Sequence, residues 1–197
     1  MQINIKKTAN TLIEVLLVLT ILGTIAALTV PGLRKYSQKT EYAQMALKGY
    51  NTINGAIDSA IAEQEDDIDK WQNAGSAGAL MQNYIGKHML KAQSCGGTSG
   101  CFGSSYKNFD GSTLSLSGSS VVTADGIAIG ASNSDKTFYI DVNGPTEPNR
   151  EGADLFFFTF GKYNGACNAD AENGVWRLCP MGHAATLMSD NWKITYW

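Results

Sequence analysis

Oxygen donors crowd one stretch of this 197-residue chain, Asp141-Val-Asn143-Gly144-Pro-Thr-Glu147-Pro-Asn149-Arg-Glu151-Gly152-Ala-Asp154. Side chains of this type at this density suit a hard cation such as Ca²⁺, which takes roughly 6–8 oxygen ligands. Asp141, Asn143, Asn149 and Asp154 are then the ligands. The spacing is not that of an EF-hand loop, because Gly144 comes too early and no Glu follows at the required distance. The same residues also build turns, with Asx side chains accepting backbone N–H groups and Gly and Pro shaping the chain. Residue types alone favour the turn over the metal.

Sulfur is the second chemistry. The cysteines are Cys95, Cys101, Cys167 and Cys179, an even number set in Gly-rich loops, which argues for disulfides in an oxidising compartment. Three pairings are open. Cys95–Cys101 and Cys167–Cys179 are favoured because each closes a short loop of residues that turn easily. Zinc has weak support, since no C-x₂-C occurs and the only histidines are His88 and His183. There is no G-x-S-x-G, H-E-x-x-H, P-loop or G-x-G-x-x-G, so the chain is not expected to be an enzyme. A formal charge of −3, from 15 Lys+Arg against 18 Asp+Glu, argues against a nucleic-acid binder working through a basic surface.

The third feature is one carboxylate in the wrong solvent. Thr11 to Val30 reads TLIEVLLVLTILGTIAALTV, and Glu14 is its only ionisable group. At about 1.5 Å per residue this run matches the roughly 30 Å of a bilayer core. A carboxylate in hydrocarbon costs about 2.5–3.5 kcal/mol even on insertion-based scales, so it needs a partner. A cut just before the run would place a free α-amine beside Glu14, and an ammonium from a neighbouring copy would neutralise the carboxylate inside a helix bundle. A secretory signal peptide fits less well: the run is longer than the usual apolar region and no good A-x-A site follows.

Thr11-Leu12-Ile13-Glu14-Val15 after a short Lys-containing leader resembles the N-terminal motif of type IV pilins and type II secretion pseudopilins. In that family a prepilin peptidase cuts on the cytoplasmic side and methylates the new N-terminus. The fifth mature residue is Glu and the twenty-second usually Pro. Cutting between Ala9 and Asn10 makes Glu14 the fifth and Pro31 the twenty-second. The chain departs from the family at the cut, where Gly and then Phe or Met are usual. The resemblance implies an α+β fold, with a long N-terminal helix on a small antiparallel sheet. It also implies self-association into a helical filament by way of an inner-membrane assembly machinery, and loss of helicity around Gly23 and Pro31 on packing. The loop pattern D-x-N-G…P-N-x-x-G-x-D-x-F resembles one seen in pilin-like ectodomains, some of which bind calcium, and that brings Ca²⁺ level with the turn.

On this reading residues 1–9 are a leader, 10–31 the transmembrane and assembly helix, 32–65 its amphipathic continuation and 66–197 an ectodomain. Loss of Lys6 and Lys7 with the leader takes the charge from −3 to −5. Lys6 and Lys7 against Arg34 and Lys35 leave orientation nearly balanced, and the cysteines decide it. The ectodomain is expected outside the cytoplasmic membrane, and the filament in the periplasm or at the cell surface.

The positioning elements follow from periodicity. Tyr36, Ala43, Ala46, Leu47, Tyr50, Ile53, Ile57, Ala60 and Ile61 form a helical stripe, ended by Glu63, Glu65, Asp66, Asp67 and Asp69. A second helix is predicted over 76–91, with Ser76 as N-cap and Leu80, Met81, Tyr84, Ile85, Met89 and Leu90 on one face. Strands are predicted at 113–117, 121–123, 127–129, 137–140, 155–160 and 192–196, with Asp125-Gly126 as a hairpin turn. The run of Phe156, Phe157, Phe158 and Phe160 leaves its inward face open.

Overall fold

The structure is a computed structural model and describes residues 5–63, 71, 74–164, 166–168 and 174–196. Most of the acidic run, Glu65 to Asp69, lies outside the described residues. The chain divides into two units, Met1–Lys39 and Thr40–Trp197. Helix α1, Ile5–Glu63, runs through both.

In the first unit α1 continues unbroken through Pro31. Residues 11–33 are exposed throughout, including Leu12, Ile13, Leu16, Leu19 and Leu22. Tyr36, expected in the buried stripe, is 73% exposed. The stretch has the length and composition to cross a membrane. Its hydroxyls are satisfied internally: Thr20, Thr24 and Thr29 donate to the carbonyls of Leu16, Ile21 and Ile25 at 2.8, 2.8 and 3.0 Å. In hydrocarbon no water would serve them.

In the second unit α1 buries Tyr42, Ala43, Ala46, Ile53, Ala56, Ile57 and Ala60, a stripe at helical spacing. Gly49 lies on it, and a Cβ there would stand 2.7 Å from Ile140 Cγ2, so the helix packs closer to the sheet than any side chain permits. Ser76 caps α2 as expected, its Oγ accepting from Ala79 N at 3.2 Å. Helix α2, Ala77–Leu80, passes into a wider turn over Met81–Ile85 and a 3₁₀ turn over Gly86–His88. It stops short of the expected Lys91. Lys91–Cys95 is instead strand β1, and Leu90, expected on the inner face, is 89% exposed. Pairing with β4 overrides the helical pattern there.

The remaining strands are β2 (Tyr106–Lys107), β3 (Thr113–Leu114), β4 (Ser119–Thr123), β5 (Ala128–Ala131), β6 (Thr137–Asp141), β7 (Leu155–Tyr163), β8 (Cys167–Asn168) and β9 (Val175–Pro180). All main-sheet pairings are antiparallel, in the order β1-β4-β5-β6-β7, with β7 also pairing β8 and β9. The strand expected at 113–117 shrinks to β3, which among the described residues pairs with β2 outside the main sheet. The segment 192–196 is not a strand. Helix α3, His183–Ser189, precedes it, and Asn191 and Trp192 take left-handed φ of 56° and 57°, which interrupts extended pairing.

Register settles the phenylalanines. Phe156, Phe158 and Phe160 face the large core with Phe138, Ile140, Ile129 and the α1 stripe, while Phe157 is half-buried on the opposite face with Tyr139 and Leu155. That second face is covered by the loop from Cys101 through Phe102 to Tyr106. Gly130 permits this cover, because a Cβ there would stand 2.1 Å from the Tyr139 ring.

Candidate functional site

Both disulfides form as expected, Cys95 with Cys101 and Cys167 with Cys179. The first fastens the loop that covers the second sheet face. The other joins β8 to β9.

Ala9, Asn10, Glu14, Gly23 and Pro31 all lie on α1. Glu14 is exposed within the apolar stretch and has no ion-pair partner among the described residues. Gly23 meets nothing within 4 Å, so that side of the helix is open to close approach. An exposed apolar helix of this length, carrying one carboxylate, requires cover from lipid or from other helices.

The Asp/Asn loop connects β6 to β7, and the structure brings its four singled-out residues into one network, with Asp141, Asn149 and Asp154 buried and Asn143 half-buried. Asp141 ends β6 and Asp154 precedes β7; both are fully buried. Asp141 Oδ1 accepts from Asn143 N at 3.1 Å, an Asx turn, and Oδ2 accepts the Tyr106 hydroxyl proton. Tyr106 Oη in turn accepts from Gly103 N at 3.0 Å. The Asp154 oxygens accept from Asn149 N at 2.8 Å and Arg150 N at 2.7 Å. Asn143 Nδ2 donates to Tyr42 Oη at 3.0 Å, Thr146 O at 2.8 Å and Glu147 O at 3.1 Å. The network therefore joins α1, the β6–β7 loop and the disulfide loop.

Two atoms in it are orphaned. Asn143 Oδ1 and Asn149 Oδ1 are buried without a hydrogen-bond partner among the described residues. Asn149 is 8% exposed, with φ of 46°, and its amide lies against Gly103, where a Cβ would stand 2.7 Å from Nδ2. Electrostatics match this crowding. Burial pushes the Asp141 carboxyl up to about 8; Asp154 adds to the rise, and hydrogen bonds from Tyr106, Asn143 and Gly144 oppose it. Burial also raises Asp154, against the backbone donors of Arg150 and Asn149. Tyr106 is raised by burial and by the neighbouring Asp141.

As a donor set the loop offers two carboxylates and two unpartnered amide oxygens, all hard ligands, which fits Ca²⁺. Among the described residues no three side chains from His, Cys, Asp and Glu gather around one point, and the loop itself brings two carboxylates. The Asx turn and the cation are compatible, since each carboxylate oxygen has a second lone pair. The residues that sequence reasoning missed are Tyr42 and Tyr106, whose partners lie 101 and 35 positions away.

Beside the loop, Phe109, Pro148, Arg150, Glu151 and Ala153 line a cleft of about 190 Å³. His183 stacks on Phe109 at 4.1 Å and its Nδ1 lies 3.1 Å from Glu151 Oε1, so the histidine packs the cleft's edge. His88 Nε2 and Lys87 Nζ lie 2.9 and 2.7 Å from Glu63 Oε2, at the end of α1. No family model, curated protein or solved structure matches the chain.

Proposed function

We propose that the chain is a structural subunit of a type IV pilus-like or type II secretion pseudopilus filament, with a pilin-like fold. The supporting observation is α1 itself: one unbroken helix, Ile5–Glu63, with an exposed apolar stretch whose single carboxylate is Glu14. A prepilin peptidase cuts between Ala9 and Asn10 and methylates the new amine. Lipid covers the apolar surface before assembly, and neighbouring copies of α1 cover it afterwards. Glu14 then finds its counter-charge in the α-amine of an adjacent subunit, where low dielectric makes an unpaired carboxylate costly and a paired one tolerable.

The direct test is Glu14→Ala. The variant inserts in the membrane at normal abundance, yet in-cell crosslinking between α1 helices falls to background. Normal crosslinked ladders from Glu14→Ala contradict the pairing. In assembled fibres, hydrogen exchange from Gly23 to Pro31 is fast if the helix loosens there on packing.

A second reading concerns the β6–β7 loop alone and does not compete with the first. Asp141, Asn143, Asn149 and Asp154 hold Ca²⁺, and the orphaned oxygens of Asn143 and Asn149 favour it. The ion would supply charge neutralisation for two buried carboxylates.

A further inference from the structure

Asn143 hydrogen-bonds the loop network to α1, and its amide is used asymmetrically. Its nitrogen serves three acceptors, Tyr42 Oη, Thr146 O and Glu147 O, while its oxygen has no partner among the described residues. Tyr42 is buried on α1 near the start of the second unit. The amide nitrogen thus ties the loop's own carbonyls to the helix, while its oxygen keeps both lone pairs unused among the described residues. A cation on an amide oxygen withdraws electron density through the conjugated C–N bond and makes its N–H groups stronger donors.

We propose that a divalent hard cation in the β6–β7 loop tightens the loop's grip on α1 through Asn143 and Tyr42. This rests on the calcium reading above and adds a direction to it. Binding at the loop is felt on the element that, in a filament, packs subunit against subunit. The other flank is already fixed by the chain, with Tyr106 on Asp141 and the backbone of Asn149 and Arg150 on Asp154. The amide oxygens of Asn143 and Asn149 are therefore the parts of the network left to respond, and of the two amides that of Asn143 is hydrogen-bonded to α1. Tyr42 acts as a positioning residue and does not touch the ion.

The experiment uses the full chain in detergent. Calorimetric titration with Ca²⁺ reads binding, and hydrogen exchange of amides 40–50, with and without Ca²⁺, reads the grip on α1. The wild type is expected to bind Ca²⁺ and to show exchange in 40–50 slowed by about five-fold, the weight of one hydrogen bond. Tyr42→Phe, which loses only the hydroxyl, is expected to bind Ca²⁺ within a few-fold of wild type and to lose that slowing. Slowing confined to 141–154 in the wild type overturns the coupling while leaving the metal in place. So does full slowing in Tyr42→Phe. No Ca²⁺ binding by the wild type overturns the cation reading, and the coupling with it.

Discussion

Asn54 Oδ1, on α1, accepts the backbone N–H of Leu178, on β9, at 3.0 Å in the buried interior. Among the described residues strand β9 pairs with β7 along one edge, and a helix side chain supplies an acceptor along the other. Asn54 Nδ2 is itself satisfied by Tyr50 O at 3.0 Å, and one turn on, Asp58 pairs with Arg177. An edge strand is thereby sealed by the helix that continues from the apolar stretch.

Asn54→Ala leaves the Leu178 N–H buried and unpaired, which costs about 1–3 kcal/mol. Denaturant unfolding of the full chain in detergent measures it. A loss under about 0.5 kcal/mol, the range of ordinary surface changes, shows that water or another group serves the strand edge.

Two glycines on α1 predict opposite signs. At Gly49 a Cβ would press on Ile140, so Gly49→Ala destabilises by roughly 1–3 kcal/mol even though alanine is the better helix former. At Gly55 nothing lies within 4 Å, and Gly55→Ala stabilises by up to about 1 kcal/mol. Equal effects from the two, read by the same unfolding assay, contradict the close approach of α1 to the sheet.

The Asp141 carboxyl carries a pH signature. Its folded value of about 8 lies above its ordinary 3.8, so between them the folded chain holds a proton that the unfolded chain has lost. Its contribution to stability is therefore greatest below about pH 4, falls as pH rises toward 8 and is flat beyond. In chelator, melting temperature against pH shows this decline in the wild type, and Asp141→Asn makes it shallower, the raised Asp154 carboxyl keeping a remainder of the same sign. The same decline in both proteins assigns it to another group.

If the loop holds Ca²⁺, the ion stabilises the folded state by binding it in preference to the unfolded chain. At neutral pH, Ca²⁺ raises the melting temperature relative to chelator, by about 2.7 kcal/mol of stability at a hundredfold excess over Kd. Asp154→Asn weakens the effect. A melting temperature indifferent to Ca²⁺ and chelator removes the metal reading and leaves the Asx turns as the loop's whole purpose.

Much of this architecture was legible in the residues, because it rests on local pattern. The α1 stripe, the Ser76 cap, the Asp125-Gly126 turn between β4 and β5 and both disulfide loops are short-range features. What escaped is set by distant partners. Lys91–Cys95 has too few apolar residues to read as a strand and becomes one through β4. The alternation in Val175–Pro180 is short and ends on proline, and it is fixed by β7 on one edge and Asn54 on the other. The Asp/Asn loop could be singled out by composition. That it is clamped by Tyr42 and Tyr106 could not, since both sit in segments whose own patterns point to a helix face and a Gly/Ser loop.

The mature N-terminus tests the filament reading most directly, because it separates a processed subunit from a plain anchor and from a secreted domain. Mass spectrometry of the N-terminal peptide, taken from membrane-associated protein in cells with a prepilin peptidase, reads it. The expected chain begins at Asn10, bears a methyl group on its amine and has Glu14 in fifth position. A chain that still carries residues 1–9, or one that begins beyond Val30, contradicts it.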